Sequence, residues 1–496
     1  MFEKFKQLNF KKLLAIICIL SPSIYLFMFT NILNDWFWHT MMGEYIVNNG
    51  FPQIGIGSWY AEYHELPWIA HEWLSEVIFW LTCGKSQTMA IVFGKICALV
   101  YSIILTIWVT KNAKKSLIQT LIIGFLTITF SCCYIYARPH IFSYFLLIAT
   151  IYVVNRTIEK NDNSCFFLLP IATLWANVHG GSSNLVYAIP ILYGLTTIIE
   201  KDFFKLSFRC SHGRKCAIKL LISGVLTIPC LLLNPYNFEM LIYPYSNMND
   251  TIMLKNITEW ATPSINSANG FIHILALFVV IFIFCNTKKE KINAYDFLLI
   301  SFGTFLFFKA ERFYPYFSIF VCYVLPKYML LEQKQNVEQK KIDFRIKTAI
   351  ISFIFFFNIT LVVLGIIENR NNFVESSDIE LSSEVIEIIK QTNPQRLYNH
   401  FNFGGYLIYN DIPVFIDGRA DMYTGISFDD FVYIIKSGYA YETKMHISDF
   451  VEKYDFDALL CYITEPMSYY YLEHQDEYEL LYKDETCLFA VKKGKE

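Results

Sequence analysis

The chain has 496 residues, of which 54% are hydrophobic and 17% charged, with a mean hydropathy of +0.36. A soluble domain carries roughly a quarter charged residues, so this balance excludes an ordinary soluble protein and points to a polytopic membrane protein. The net charge of -3 argues against a dedicated nucleic-acid binder, and the 18% aromatic content suits membrane interfaces and sugar or lipid sites.

Taken in order, a short basic start, Met1 to Lys12, leads into an apolar run over Leu13–Asn31. No small-x-small cleavage site follows it, so it reads as an uncleaved first span. Further apolar runs lie near Met89–Val109, Leu117–Ile135, Ile141–Val154, Phe166–Val178, Leu185–Ile199, Ala217–Leu233, Phe271–Cys285, Ala294–Phe308, Tyr316–Leu331 and Thr348–Ile367. Together these predict an α-helical polytopic membrane bundle of about eleven transmembrane helices over residues 1–367. From Glu368 the composition turns polar and mixed, predicting a small C-terminal extracytoplasmic α/β domain over 368–496. There Leu381–Gln391, Phe428–Lys436 and Ile447–Tyr454 read as helices. Arg396–Asn399, Tyr406–Tyr409, Val414–Asp417, Ala458–Tyr462, Glu479–Tyr482 and Cys487–Val491 read as strands.

Alternate loops differ sharply in charge. One set carries Lys4, Lys6, Lys11 and Lys12; Lys111, Lys114 and Lys115; Arg156 and Lys160; Lys201, Lys205, Arg209, Arg214 and Lys215; Lys288, Lys289 and Lys291; and the basic stretch from Lys327 to Lys347. The other set carries only Lys85, Arg138, Lys255, Lys309 and Arg312. The Lys/Arg excess marks cytoplasmic loops. This predicts a multi-pass protein of the plasma membrane with a cytoplasmic N-terminus and an extracytoplasmic tail.

The polar chemistry falls in the loops so placed outside. The first outer loop, 32–87, packs Asp35, His39, Glu44, His64, Glu65, His71, Glu72 and Glu76 among Trp36, Trp38, Trp59, Trp68 and Trp73. Later outer loops read YARPH (Tyr136 to His140), WANVHGG (Trp175 to Gly181), LNPYN (Leu233 to Asn237), TEWATP (Thr258 to Pro263) and KAERFYPY (Lys309 to Tyr316). In the tail, PVFIDGRADMY places Asp417, Gly418, Arg419 and Asp421 where a buried strand ends, and ligand groups collect at such ends in open sheets.

The pattern Asp-Trp-x-x-His-x-x-x-Gly-x-x-Ile, met by Asp35, Trp36, His39, Gly43 and Ile46, with a later Trp-x-x-x-Glu-Trp-Leu at Trp68, Glu72, Trp73 and Leu74, resembles the GT-C superfamily of integral-membrane glycosyltransferases, in a poorly characterised bacterial branch. The Arg-Pro-His, Trp-x-Asn-x-His-Gly-Gly, Asn-Pro-Tyr, Glu-Trp and Asp-Gly-Arg-x-Asp stretches resemble that branch as well, so the likeness covers nearly the whole chain. It implies a polyprenyl-phosphate sugar donor, work at the extracytoplasmic face, and a first-loop acidic residue that is the catalytic base or a metal ligand. Many members carry two neighbouring acids there, whereas this chain has Asn34-Asp35 with His39 four residues on. The acceptor implied is a glycan, a lipid or a protein.

Sugar transfer from a lipid phosphate needs a base for the acceptor hydroxyl, cations for the leaving phosphate, and exclusion of water. Asp35 is the candidate base, its bland alternative a helix cap; His39, on the same face of a helix, orients it or binds phosphate, or is an interfacial histidine bonded to backbone. Arg138, then Arg312, are the candidates for donor phosphate, against a salt bridge to a loop carboxylate. His71 and Glu72 point about 100° apart on a helix, so one faces the site while the other packs. His179 sits by a Gly-Gly pair that permits close backbone approach or merely a tight turn. Glu259 with Trp260 offers an acceptor-sugar contact or only an interfacial anchor. Asp417 and Arg419 contribute acceptor contacts, or pair internally to hold their turn. No cofactor is assigned and no metal ligands are named: a divalent metal held by Asp35, His71 and Glu72 is an open alternative without a spaced ligand motif behind it. Among the 13 cysteines, Cys461 and Cys487 in the tail are either paired or free buried thiols. Two further readings stand beside the enzyme. One is a transporter or flippase of a lipid-linked glycan, which would place charge mid-membrane. The other is a non-catalytic envelope assembly protein.

Overall fold

In the computed structural model the described residues are 34–112, 117–131, 134–247, 251–287, 290–329, 381–437 and 445–494. The runs Leu13–Asn31 and Thr348–Ile367, the basic stretches beside them and the start of the tail at Glu368 lie outside these residues. The first outer loop is itself folded, into helices α1 (Asn34–Asn49), α2 (Trp59–Tyr63) and α3 (Trp73–Cys83). The α1–α3 crossing is tight: a Cβ at Gly43 would sit 2.1 Å from the Glu76 carbonyl oxygen, so only glycine lets the two helices meet.

Every described apolar run lies on a helix. These are α4 (Gln87–Asn112), α5 (Leu117–Ser131), α6 (His140–Lys160), α7 (Leu168–Val178), α8 (Leu185–Thr197), α9 (Arg214–Leu231), α12 (Ala268–Cys285), α13 (Ala294–Lys309) and α14 (Tyr314–Tyr328). The short helices α10 (Phe238–Asn247) and α11 (Thr251–Asn256) lie between α9 and α12. Among the described residues, two stretches are long and apolar enough to cross a membrane, Gln87–Val109 and His140–Lys160. The other apolar helices are shorter, and several turn apolar side chains outward. On α12, Phe271, Leu275, Phe278 and Phe282 are exposed, and on α9 Ile218, Ile222, Val225 and Leu226. Such stripes at helical spacing are costly in water. At the basic-loop end, Asp202–Phe203, Leu206–Ser207 and Ile292–Asn293 form a small sheet.

The tail contributes helix α15 (Ser383–Thr392), strand β1 (Leu397–Asn399), helices α16 (Gly404–Tyr409), α17 (Ala420–Tyr423), α18 (Ser427–Ser437) and α19 (Ile447–Tyr454), strand β2 (Ala458–Tyr462), helix α20 (Pro466–Glu473), and strands β3 (Tyr478–Lys483) and β4 (Cys487–Lys492). The sheet order is β1-β2-β4-β3, parallel only between β1 and β2, where Leu397 pairs Ala458. Cys461 and Cys487 are both free and buried.

Two expected strands differ. Tyr406–Tyr409 is helical, because α16 begins with two glycines that permit contacts no side chain would allow. A Cβ on Gly404 would meet the Ile416 carbonyl at 2.4 Å, and one on Gly405 the Asn34 carbonyl at 2.7 Å. This seats Tyr406 and Tyr409 edge-on against Phe37 of α1. Val414–Asp417 joins no ladder: Val414 makes only an isolated bridge with Ser58, and the chain bends at Phe415. The buried Asn399 side chain bonds Phe415 N and Ile416 O, and Val414 N bonds Gly57 O at 3.1 Å. The tail is therefore joined to the first outer loop through its backbone, and Trp59 of that loop donates to Leu397 O and stacks on Phe415.

The turn after this segment holds a fully buried ion pair. Asp417 accepts from Arg419 N, Nε and Nη2 at 2.7–2.9 Å and from Tyr423 OH at 2.6 Å, and both side chains are 0% exposed. Removing one partner of such a pair strands the other charge. Asp417→Asn should therefore destabilise the protein by roughly 3–5 kcal/mol. Arg396→Gln, which opens an exposed pair with Asp455, should cost about 0.5 kcal/mol or less. Thermal melting of the two variants in detergent measures the contrast.

Candidate active site

One cavity of about 950 Å³ collects the weakly basic loops, with Asp35, His71, Glu72, Arg138, His179, Glu259, Arg312 and Arg419 in its wall. Of the residues singled out from the sequence, His39 and Asp417 lie behind the wall, both buried. Among the described residues, none from the basic loops that the charge rule places on the other side belongs to this lining.

Asp35 sits in the first turn of α1, where the helix dipole favours a carboxylate. Its Oδ1 accepts from Trp38 Nε1 at 3.3 Å, and its Oδ2 pairs with Arg138 Nη2. The tail closes over it: a Cβ on Gly418 would come 2.4 Å from Asp35 Oδ1 and 2.7 Å from Trp38 Nε1. Arg138, from the turn before α6, also forks onto Glu259, Nη1 to Oε2 at 2.6 Å and Nη2 to Oε1 at 3.1 Å. Arg312 approaches the same Glu259 Oε1 at 3.4 Å and lies 4.2 Å over the Trp260 ring. The result is a chain of alternating charge, Asp35–Arg138–Glu259–Arg312. Burial raises the Asp35 carboxyl above its ordinary range, outweighing Arg138. For Glu259 burial also raises, but Arg138 and Arg312 outweigh it and hold the carboxyl at about 2.

A second group is built on Glu72. Its Oε1 lies 3.5 Å from His71 Nε2 and 3.2 Å from His179 Nε2, and its Oε2 lies 3.6 Å from His39 Nε2. Burial would raise this carboxyl, yet His71 and a hydrogen bond to His179 hold it well below the usual range. His71 stacks on Tyr243, whose hydroxyl donates to Asp421 at 2.9 Å. His179 Nδ1 meets Ser143 and Ser182 hydroxyls at 2.7 and 3.0 Å, and Tyr316 donates to Ser182. The Gly-Gly pair beside it is a tight turn: a Cβ on Gly180 would strike Met240 Sδ at 2.1 Å. His39 lies in van der Waals contact with Trp38, ring centroids 3.7 Å apart. Burial lowers its imidazole to about 3, so it is neutral near pH 7.

His39 does not touch Asp35. It reaches Glu72 and, at 3.3 Å, Glu76, a residue without an assigned role in the sequence reading although Glu72-x-x-x-Glu76 is a same-face helical spacing. Asp417 and Arg419 are directed at one another, with Arg419 also 5.0 Å over the Trp68 ring. A metal at Asp35 does not fit: the Arg138 guanidinium already occupies the space between Asp35 and Glu259. Among the described residues, the group able to hold a metal ion is His39, Glu72 and Glu76, not Asp35, His71 and Glu72.

No family model matches the chain, and no curated protein matches it. Among solved structures it is similar to the archaeal oligosaccharyltransferase AglB from Archaeoglobus fulgidus, in complex with an inhibitory peptide and a dolichol-phosphate. The TM-score is 0.51 at 10% identity, over 98% of this chain and 74% of that one. The likeness is one of fold.

The depressed Glu259 carboxyl carries a pH signature. A group held below its unfolded value contributes stability in full above that value, about 4.5, and loses it as the pH falls towards 2. The melting temperature of the parent should drop on acidification through this window. In Glu259→Gln that part of the drop should be missing, with a lower melting temperature at neutral pH; parallel curves would contradict the arrangement.

Proposed function

We propose that this chain is a membrane glycosyltransferase of GT-C type, moving a sugar from a polyprenyl-phosphate donor to an extracytoplasmic glycan, lipid or protein acceptor. The observation that carries this reading is the cavity that joins a half-buried carboxylate with raised proton affinity, Asp35, to a cationic and apolar flank. That flank places Arg312 and Lys309 beside Phe302, Phe305 and Leu306, the combination a phosphate on an apolar chain requires. Arg138 is committed to two carboxylates, so Arg312 becomes the first choice for the donor phosphate and Arg138 the group that aims Asp35. The dolichol-phosphate and peptide in the AglB complex support a lipid-linked donor and a separate acceptor.

In this reading the acceptor hydroxyl oxygen bonds the anomeric carbon while its proton passes to Asp35. The bond from that carbon to the donor phosphate breaks, and its electron pair leaves with the phosphate oxygen, which Arg312 and Lys309 stabilise. Phe401, Phe428 and Phe431 of the tail also line the cavity and keep water from the donor. The protein lies in the plasma membrane as a multi-pass chain with its tail outside. Convergence of the weakly basic loops on one cavity supports this orientation.

Asp35→Asn should stay folded, melt somewhat lower than the parent for want of its ion pair with Arg138, and retain donor lipid, yet lose about 10²–10⁴-fold in kcat with polyprenyl-phosphate sugars. Because burial raises the Asp35 carboxyl, the parent's activity should fall on acidification at a pH above the ordinary carboxylate range. Arg312→Lys should mainly raise KM for the donor, and mass spectrometry of co-purified lipid should find less of it. Product yield from Asp35→Asn equal to the parent's would end this reading.

A further inference from the structure

Glu72, in the cavity wall, and Glu76, behind it, stand one helical turn apart at the start of α3, facing His39 of α1. One ligand atom from each of the three lies within 4.8 Å of the other two. His39 and Glu76 are each 1% exposed, and Glu76 Oε2 is buried with no hydrogen-bond partner. A buried carboxylate oxygen left bare bears its full desolvation cost. Its neighbouring cation does not relieve it, since Arg419 has Nε and Nη2 on Asp417 and Nη1 on Met42 Sδ.

We propose that His39, Glu72 and Glu76 bind one divalent first-row metal ion, at a site separate from Asp35. Donor chemistry supports this: one imidazole nitrogen and carboxylate oxygens, with no thiolate, suit Zn²⁺ or Mn²⁺. Bonds of about 2.0–2.2 Å from one ion reach ligand atoms gathered within such a spread. The backbone is already fixed for it by the Gly43 contact with Glu76. His71 and His179 grip the other oxygen of Glu72, the kind of outer hydrogen bonding that orients a ligating carboxylate. Glu72 also lines the cavity, which gives the ion a way in. Bound there, the ion fixes Glu72 and through it the two histidines in the cavity wall.

This inference does not rest on glycosyl transfer, and its test reads binding rather than turnover. The full chain is purified in detergent, stripped with EDTA, and titrated separately with Zn²⁺ and Mn²⁺. Metal content and calorimetric affinity are measured together with melting temperature. The parent should take up about one ion per chain and melt higher with it. Glu76→Gln and His39→Gln should bind at least about tenfold more weakly, and Asp35→Asn as tightly as the parent. The proposal is overturned if the parent takes up neither ion and its melting temperature does not respond. It is equally overturned if the Glu76 and His39 variants bind like the parent, or if Asp35→Asn is the one that loses the ion. In the first two cases a protonated Glu76 that donates to His39 accounts for the cluster. Should the Glu76 variant fail to fold, the parent's uptake and melting response still decide.

Discussion

A guanidinium held between two carboxylates organises this molecule. Arg138 bridges Asp35 and Glu259, three groups from separate loops, all of them mostly shielded from water. Without the arginine, two carboxylates at this separation from bulk water would repel or take up protons. Without either acid, a cation would be buried unpaired. The pairing therefore obliges the turn before α6, the Thr258–Trp260 turn and the start of α1 to meet, and Arg312 extends the chain by one further charge. The cavity is the space left around that meeting point.

The same constraint explains why the tail is not a detached domain. Its Asp-Gly-Arg turn rests on Asp35 and Trp38 with no room for a side chain at Gly418. Asp417 and Arg419 neutralise one another within that turn, so it can lie over a buried carboxylate without adding net charge to it. Arg419 over Trp68 and the backbone bond from Val414 to Gly57 then fix the cover to the loop beneath. Positioning of the catalytic carboxylate, in the proposed function, is thus shared between the loop, the helical bundle and the tail.

Much of this was legible in the sequence. Apolar runs gave the helices, because helix formation in apolar stretches depends on local composition. The uneven Lys/Arg loops sorted the site residues, and the charge-bearing loops so grouped do meet. Cys461 and Cys487 illustrate the limit from the other side: both lie buried in the sheet as free thiols, one of two readings that spacing alone left open. What was not legible depends on contacts between distant segments. Nothing local to Gly404-Gly405 says that Asn34 and Ile416 carbonyls press on it, so α16 read as a strand. Nothing local to Arg138 says that two carboxylates await it, so it ranked above Arg312 for phosphate. Glu76 was passed over because its meaning lies in His39, a residue 37 positions away.

Helix α1 ties the two ionic groups together. Asp35 faces the cavity at its first turn, and His39, one turn further, faces the buried pair of glutamates. Trp38 lies between them, donating to Asp35 and stacking on His39. Any shift of α1 along its axis would therefore disturb the Asp35–Arg138 contact and the His39–Glu72 contact at once. The crossing at Gly43 resists that shift, since the Glu76 carbonyl leaves no slack there. Burial keeps His39 neutral, while the Glu72 charge beyond it helps to raise the Asp35 carboxyl, so the two groups are coupled through charge as well as through the helix.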